Sequence, residues 1–175
     1  MKKNNSNKYL ILILFSIFLF AFFHRFTSVA NFTPIIAIAL FLPRLTKNHY
    51  IQTLFPLTIL ISSDLIIGFH KTMLFTYGTI FLISFIGKAL SNKNFKGLIY
   101  GSVFSVLLWH LIVNYGYHIN SKAPLLESYL NAIPFDLRLL VSTFGFCSLF
   151  YYLEYINNKK FIKAPSLQNL KNLNF

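Results

Sequence analysis

The chain is poor in charge, and acidic residues are the scarcest. Of its 175 residues only 11% are charged, and 16 Lys and Arg stand against 4 Asp and Glu. A water-soluble domain carries about 25% charged residues, because its surface must be solvated. Hydrophobic residues make up 55% of this chain, and Phe alone contributes 21. The composition therefore predicts that much of the surface faces lipid.

Cysteine and catalytic motifs are scarce as well. The single cysteine, Cys147, lies in an apolar stretch, which excludes an intrachain disulfide framework. The sequence has no HExxH, GxSxG or Walker motif and no carboxylate pair at the spacing of an acid–base couple. The histidines are not spaced like the ligands of a metal site. We therefore predict no catalytic residues, no metal and no cofactor.

The excess of basic residues gives a formal net charge of +12. In membrane proteins, Lys and Arg collect in cytoplasmic loops, and such an excess needs no nucleic acid to explain it. No basic helix or aromatic–basic motif stands apart from the apolar runs. We therefore predict that the chain lies in a lipid bilayer and does not bind nucleic acid.

Six apolar segments follow one another along the chain, at about residues 9–23, 32–42, 50–67, 73–90, 98–115 and 137–155. A helix needs about 20 residues to cross a hydrocarbon core of about 30 Å. The second segment is clearly too short, so protein or a wet cavity has to cover it. The predicted fold class is an all-α integral membrane protein, a bundle of about six transmembrane helices whose second span is short. We expect one transmembrane domain over residues 1–158 and a basic cytoplasmic tail over residues 159–175.

The distribution of basic residues predicts the orientation. With the N-terminus inside, twelve Lys and Arg fall in cytoplasmic segments, and the outside receives Arg25, Lys71, Lys122 and Arg138. The positive-inside rule then puts both termini in the cytoplasm, and we expect a multi-pass protein of a bacterial inner (plasma) membrane. As an alternative, residues 1–30 act as a secretory signal cleaved after Ala30, which would leave five spans.

Ionisable residues inside apolar segments are candidates for function, because charge within a bilayer is costly. Asp64 is the clearest, at about 21 Å from the cytoplasmic start of the third span. In the fifth span His110 and Asn114 share one helical face with His118, at intervals of four residues. The predicted ligand-binding residues, all on the outer side, are Asn31, Asp64, His70, His110, Asn114 and Arg138. The alternatives are a structural ion pair for Asp64 and interhelical hydrogen bonds for the fifth span.

Two further features concern the connections and the packing of the helices. Residues 116–138 are predicted to form the longest connection, an outer loop in which Pro134 stands just before the sixth span. The small residues Gly97, Gly101 and Ser105 share one face of the fifth span, which favours close helix packing or docking of a partner.

Three short motifs carry a resemblance: NFTPIIAIALF at residues 31–41, SDLIIGFH at residues 63–70 and AIPF at residues 132–135. Their order and spacing resemble an uncharacterised family of bacterial six-span membrane proteins. More distantly, six helices and a short second span opening with Asn-x-x-Pro are similar to the S component of an energy-coupling-factor transporter. That resemblance implies a vitamin binder with an outer pocket, which works with a membrane-embedded scaffold and ATPase subunits. The first span lacks a small-residue AxxxA motif, which puts docking to the scaffold in question.

These observations favour a membrane-embedded binding or transport protein for a small polar metabolite or vitamin, with its pocket on the outer side. Its expected partners are the bilayer, the small-molecule ligand and a transporter scaffold subunit. One alternative is an assembly protein without a ligand, in which a neighbouring helix satisfies a wholly buried Asp64. Another is a membrane enzyme, which requires a second carboxylate, His or Ser within reach of Asp64 or His110 in an open cleft.

Overall fold

The computed structural model describes the backbone of residues 2–26 and 30–163, and the side chains of residues 9–26 and 30–156. Within these residues the chain forms six α-helices and no strand, which confirms the predicted all-α fold class. The helices are α1 (Lys2–His24), α2 (Ile35–Leu45), α3 (His49–Ile67), α4 (Met73–Leu90), α5 (Phe95–Ser121) and α6 (Leu125–Lys163). Successive helices run in opposite directions. We call the two ends of the bundle the Asp64 end and the Arg44 end.

The short helix α2 lies at the centre of the bundle. It packs against α3, α4, α5 and α6, and all of residues 35–43 are buried. A helix that is apolar on every side is stable only when protein surrounds it. Its 11 residues are about 16 Å long, roughly half the thickness of a hydrocarbon core. The surrounding helices therefore supply the cover that the short second segment requires.

Helix α1 lies beside α3 and α6. It packs against α3, and the ring of Phe20 lies 5.7 Å from the ring of Phe146 on α6. Within the described residues, four helices thus pack against α2, and α1 lies against two of them, α3 and α6.

Four helical segments are long and apolar enough to cross a membrane, judged by length and composition within the described residues. They are α3, α4, α5 and the Leu125–Ile156 part of α6, while Tyr9–His24 and α2 are shorter apolar helices. Many large apolar side chains are exposed on the outside of the bundle, among them Leu12, Leu74 and Leu126. Such a surface suits lipid rather than water, and the chain is a membrane protein.

Helices α2 and α4 approach each other closely at Gly87. A Cβ atom at this position would lie 2.5 Å from the carbonyl oxygen of Ala39 and 2.8 Å from Leu40 Cα. Only glycine lets these two backbones pack so closely. At Gly101, which the sequence singled out, a Cβ atom would meet the side chain of Leu90 instead.

The prediction of an outer loop at residues 116–138 is wrong. Helix α5 continues to Ser121 and α6 begins at Leu125, so three residues connect them. Lys122 ends α5 in a left-handed conformation with φ 59°, which turns the chain sharply. Polar side chains in this stretch bond to the helices instead of forming a loop, as when the Tyr129 hydroxyl donates to the carbonyl oxygen of Leu111 at 2.9 Å. Pro134 accordingly lies inside α6 and not before it.

Helix α6 also extends past residue 158, where the sequence predicted the domain to end. Residues 164–175 of the predicted cytoplasmic tail lie outside the described residues, and the tail stays a prediction.

Candidate functional site

A buried carboxylate joins three parts of the chain at the Asp64 end. Asp64, in the last turn of α3, is 1% exposed. Its Oδ1 accepts a hydrogen bond from Arg25 Nη2 at 2.5 Å, and its Oδ2 accepts one from the Tyr77 hydroxyl at 2.7 Å. Arg25 directly follows α1, and Tyr77 lies on α4. Because a buried charge is tolerated when it is paired and hydrogen-bonded, these contacts account for the position of Asp64.

His70 stands at the edge of this group, in the connection between α3 and α4. Its Nε2 lies 4.0 Å from Asp64 Oδ2, and its Nδ1 lies 2.9 Å from the Thr72 hydroxyl. Gly68 ends α3 with φ 109°, a conformation that other residues rarely adopt. This turn leads the chain away from α3, and the imidazole of His70 is exposed.

A second polar group lies between α5 and α6 at the same end. His110 Nδ1 is 2.7 Å from Asp136 Oδ2, and Asn114 Nδ2 donates to the same oxygen at 3.1 Å. The ring of Tyr129 lies 5.2 Å from the imidazole of His110. His110 and Asn114 are one helical turn apart on α5, so both side chains reach the same carboxylate on α6. We call these four residues the His110 cluster.

The hydrogen bonds of the His110 cluster leave acceptor atoms without a protein partner. Since the carboxylate of Asp136 accepts from the ring, we assign the proton of a neutral His110 to Nδ1. Nε2 then presents a lone pair, and within the described residues neither it nor Asp136 Oδ1 has a hydrogen bond. The His110 side chain is 23% exposed and that of Asp136 is 9% exposed. The cluster is thus partly buried, and its hydrogen-bonding capacity is only partly used.

The His110 cluster lies beyond the end of the central helix. The chain just before α2 is fixed to α6, because the Ser142 hydroxyl is 3.3 Å from both the backbone nitrogen and the carbonyl oxygen of Thr33. Asp136 precedes Ser142 by six residues, which is about 9 Å along a helix toward the Asp64 end. At the level of the cluster, α2 therefore no longer fills the centre of the bundle.

The remaining predicted site residues lie apart from these two groups. Arg138 is exposed, with its guanidinium 4.7 Å from the Phe135 ring centroid and its Nε donating to the carbonyl oxygen of Pro134. Asn31 has φ 60°, a left-handed conformation that Asn tolerates better than most residues. Among the contacts of the described residues, neither side chain hydrogen-bonds to Asp64 or to the His110 cluster. The structure thus brings Asp64 close to His70, and His110 close to Asn114.

A different charged centre closes the opposite end. Arg44, at the end of α2, forms a two-pronged ion pair with Glu154 of α6, with nitrogen–oxygen distances of 2.9 and 3.2 Å. Its Nη1 donates to the carbonyl oxygens of Ser91 and Lys93 in the connection between α4 and α5. The guanidinium also lies 5.5 Å from the Tyr151 ring centroid. Arg44 therefore ties the central helix to two other parts of the bundle.

Comparison with family models matches residues 3–167 to a family of unknown function, DUF6580. The chain belongs to DUF6580. The predicted membership of an uncharacterised family is thereby confirmed. No curated protein and no solved structure matches the chain. The bacterial origin and the resemblance to S components gain no support from these comparisons.

In this DUF6580 chain, sequence reasoning missed the partners of Asp64. An Asp in an apolar segment is expected to pair with a nearby basic residue. Arg25 was one of the four basic residues predicted to lie on the same side of the membrane. That charge argument was available from the sequence. Tyr77 gave no comparable signal, because a tyrosine within an apolar helix is ordinary.

The sequence analysis also did not predict the pairing of Arg44 with Glu154 at the other end.

Within the described part of this DUF6580 chain, no three His, Cys, Asp or Glu side chains lie together in a group that would hold a metal ion.

Proposed function

We propose that this DUF6580 chain is a membrane-embedded binding protein that serves the transport of a small polar molecule, and that the His110 cluster provides the polar contacts. One observation carries the proposal: His110 and Asp136 lie on membrane-spanning helices and keep acceptor atoms without a partner within the described residues. An ionisable pair within a bilayer is costly. A ligand that completes these hydrogen bonds would account for the pair.

The chemistry of the cluster favours a ligand that donates hydrogen bonds. The free atoms of His110 and Asp136 both accept them. No Lys or Arg lies within 4.0 Å of the Asp136 carboxylate among the described residues. The ring of Tyr129 adds an aromatic surface beside it. A carboxylate next to an aromatic ring suits a protonated amine, so we propose an amine-bearing solute.

The position of the cluster beyond α2 supports access from the Asp64 end, which the charge distribution predicts to face outward. In this proposal Asp64, held by Arg25 and Tyr77, fixes the helices at the end where the cluster lies, and His70 stands at the edge of the Asp64 group. Asn31 acts through the turn that leads into α2, and Arg138 lies outside the site. The inner membrane as location, like the orientation, is part of the proposal.

The test is ligand binding to the detergent-purified protein. Native mass spectrometry would detect a co-purifying molecule, and a panel of polyamines, amine-bearing vitamins and uncharged analogues would be screened by thermal stabilisation. We expect His110→Ala to weaken binding at least tenfold. His49→Ala is the matched control, because His49 also has a polar side-chain contact, with Gln52 at 3.1 Å, but at the Arg44 end. Equal affinity of wild type and His110→Ala would refute the proposal.

Asp136→Asn removes the negative charge of this side chain and keeps its shape. It should lower affinity for amines and leave affinity for their uncharged analogues almost unchanged. Uptake of the bound solute by cells that produce the chain tests the transport part, and uptake that His110→Ala leaves intact would contradict it.

The assembly protein is the second candidate, and the state of Asp64 favours it. This carboxylate is buried and both of its oxygens are engaged, as expected of a structural ion pair. The partner would be another membrane protein, such as a transporter scaffold subunit. Co-purification of such a subunit, together with no response to any ligand in the panel, would favour this candidate.

An enzyme receives less support, although Asp136 provides the carboxylate within reach of His110 that such an enzyme requires. Within the described residues no hydroxyl or thiol group hydrogen-bonds to His110, so no side-chain nucleophile is paired with it there.

A further inference from the structure

A groove of about 240 Å³ opens between α5 and α6 in the half of the bundle near the Arg44 end. Ser102 and Cys147 are buried at its floor, with Ser102 Oγ 3.6 Å from Cys147 Sγ. Ile99 and Ser148 are exposed at its rim. The full lining consists of Phe95, Ile99, Ser102, Phe144, Cys147 and Ser148. The groove is therefore mainly apolar and open toward the surface that faces lipid.

The groove runs along the two helices, as a lipid acyl chain would, and its length is comparable to that of an acyl chain in one leaflet. It extends from Phe95, the first residue of α5, to Ser102, seven residues or about 10 Å deeper. The hydrocarbon layer of one leaflet is about 15 Å thick. An acyl chain of the leaflet that adjoins the Arg44 end would thus lie along the two helices and cover the groove.

Two exposed lysines lie close in sequence to Phe95, at the end of the groove nearest the Arg44 end. Lys93 and Lys96 flank Phe95 in the sequence, and both are exposed. In the part of the chain that the structure describes, neither has a carboxylate within 4.0 Å. The nearby Glu154 is already paired with Arg44. This end of the groove can therefore attract an anion without first breaking an ion pair.

We propose that the groove binds an anionic phospholipid, with one acyl chain between α5 and α6 and the phosphate-bearing headgroup at Lys93 and Lys96. Lysine is a common phosphate ligand, and basic residues next to a membrane bind the anionic lipids of the cytoplasmic leaflet. The predicted orientation puts the Arg44 end in that leaflet. This site is independent of the His110 cluster, and either can exist without the other.

Native mass spectrometry with added phosphatidylglycerol or phosphatidylcholine of equal chain length tests the proposal. Wild type should retain one phosphatidylglycerol about tenfold more than phosphatidylcholine. Ser148→Phe, which fills the groove, should lose the retained lipid. Leu149→Phe is the matched control, because this exposed neighbour lies outside the groove lining. Equal retention by Ser148→Phe and wild type would overturn the proposal.

The charge contribution needs a second pair of variants. Lys93→Gln with Lys96→Gln should abolish the preference for phosphatidylglycerol, while Lys71→Gln with Lys122→Gln, at the opposite end, should keep it. Loss of the preference in both pairs would show a general attraction to a basic protein and overturn the assigned site. Unchanged thermal stability of each variant establishes that the fold is intact.

Discussion

The two ends of the bundle use charge in different ways. At the Arg44 end the Arg44 side chain is 12% exposed, and its guanidinium pairs with Glu154 and donates to two carbonyl groups, so its hydrogen-bonding capacity is almost fully used. At the Asp64 end the His110 cluster retains acceptor atoms without a partner in the described residues. A saturated charge fixes helices to one another, whereas an unsaturated one is available to a ligand. Asp64 itself is saturated by Arg25 and Tyr77, so the comparison separates an end held by a saturated charge from an end that also carries a polar group suited to binding.

Displacing the central helix should disturb both ends at once and have the largest effect. Leucine at position 87 would collide with the backbone of Ala39 and Leu40. These backbone atoms belong to α2, so the clash is relieved only if α2 itself moves. We expect Gly87→Leu to destabilise the fold by about 3 kcal/mol or more, measured as a large loss of folded protein after extraction. Gly78→Leu is the control, since a Cβ atom there meets no atom within 4 Å. A normal yield of Gly87→Leu would show that α2 is not fixed as described.

Removing the anion at the saturated end should have the next largest effect. Glu154→Ala leaves the partly buried Arg44 without its ion pair, which should cost about 2–3 kcal/mol. The control is Glu127→Ala on the same helix, an exposed glutamate at the other end. Thermal unfolding in one detergent compares the two. If Glu127→Ala lowers the melting temperature as much as Glu154→Ala does, the Arg44 end is not the more tightly held one.

Removing the cation at the Asp64 end should have a smaller effect on stability. Arg25→Met leaves Asp64 buried, but Tyr77 still donates to it, so we expect a loss of about 1–2 kcal/mol. Arg138→Met is the matched control, because this arginine is exposed and pairs with no carboxylate among the described residues. Thermal unfolding measures both variants. A loss larger than that of Glu154→Ala would reverse the comparison between the ends.

The smallest effect is expected at Arg138, which the sequence analysis predicted to bind the ligand. Arg138→Gln should change stability by less than about 0.5 kcal/mol, as exposed substitutions commonly do. It should also leave ligand affinity unchanged, since its guanidinium lies over Phe135 and not in the His110 cluster. Isothermal titration with the ligand identified in the panel measures this, and a tenfold loss of affinity would return Arg138 to the site.

Much of the fold was predictable because apolar segments in a membrane protein have a required length. The fourth helix matches its predicted span at residues 73–90, and the short second segment was correctly expected to need cover. The connection between α5 and α6 was missed, because polar residues such as Asn120 resemble a loop when their helical partners are unknown. Asn120 in fact donates to the carbonyl oxygen of Gly116 within the helix.

The candidate site was predictable where spacing along one helix determines geometry. His110 and Asn114 were expected on one face, and both contact Asp136. His118, on the same face, contacts instead the carbonyl oxygen of Ala123 at the tip of the helix pair. The pairing of residues far apart in sequence, such as Arg44 with Glu154, depends on how the helices pack, and spacing along one helix carries no information about it.

The central position of α2 constrains how the chain enters a membrane. Insertion of a helix as an independent unit requires enough length to cross the hydrocarbon, and α2 reaches only about half of it. Its terminal N–H and C=O groups would then face hydrocarbon without partners, at a cost of several kcal/mol each. We therefore expect α2 to enter the membrane together with the helices that cover it, and not as an independent unit.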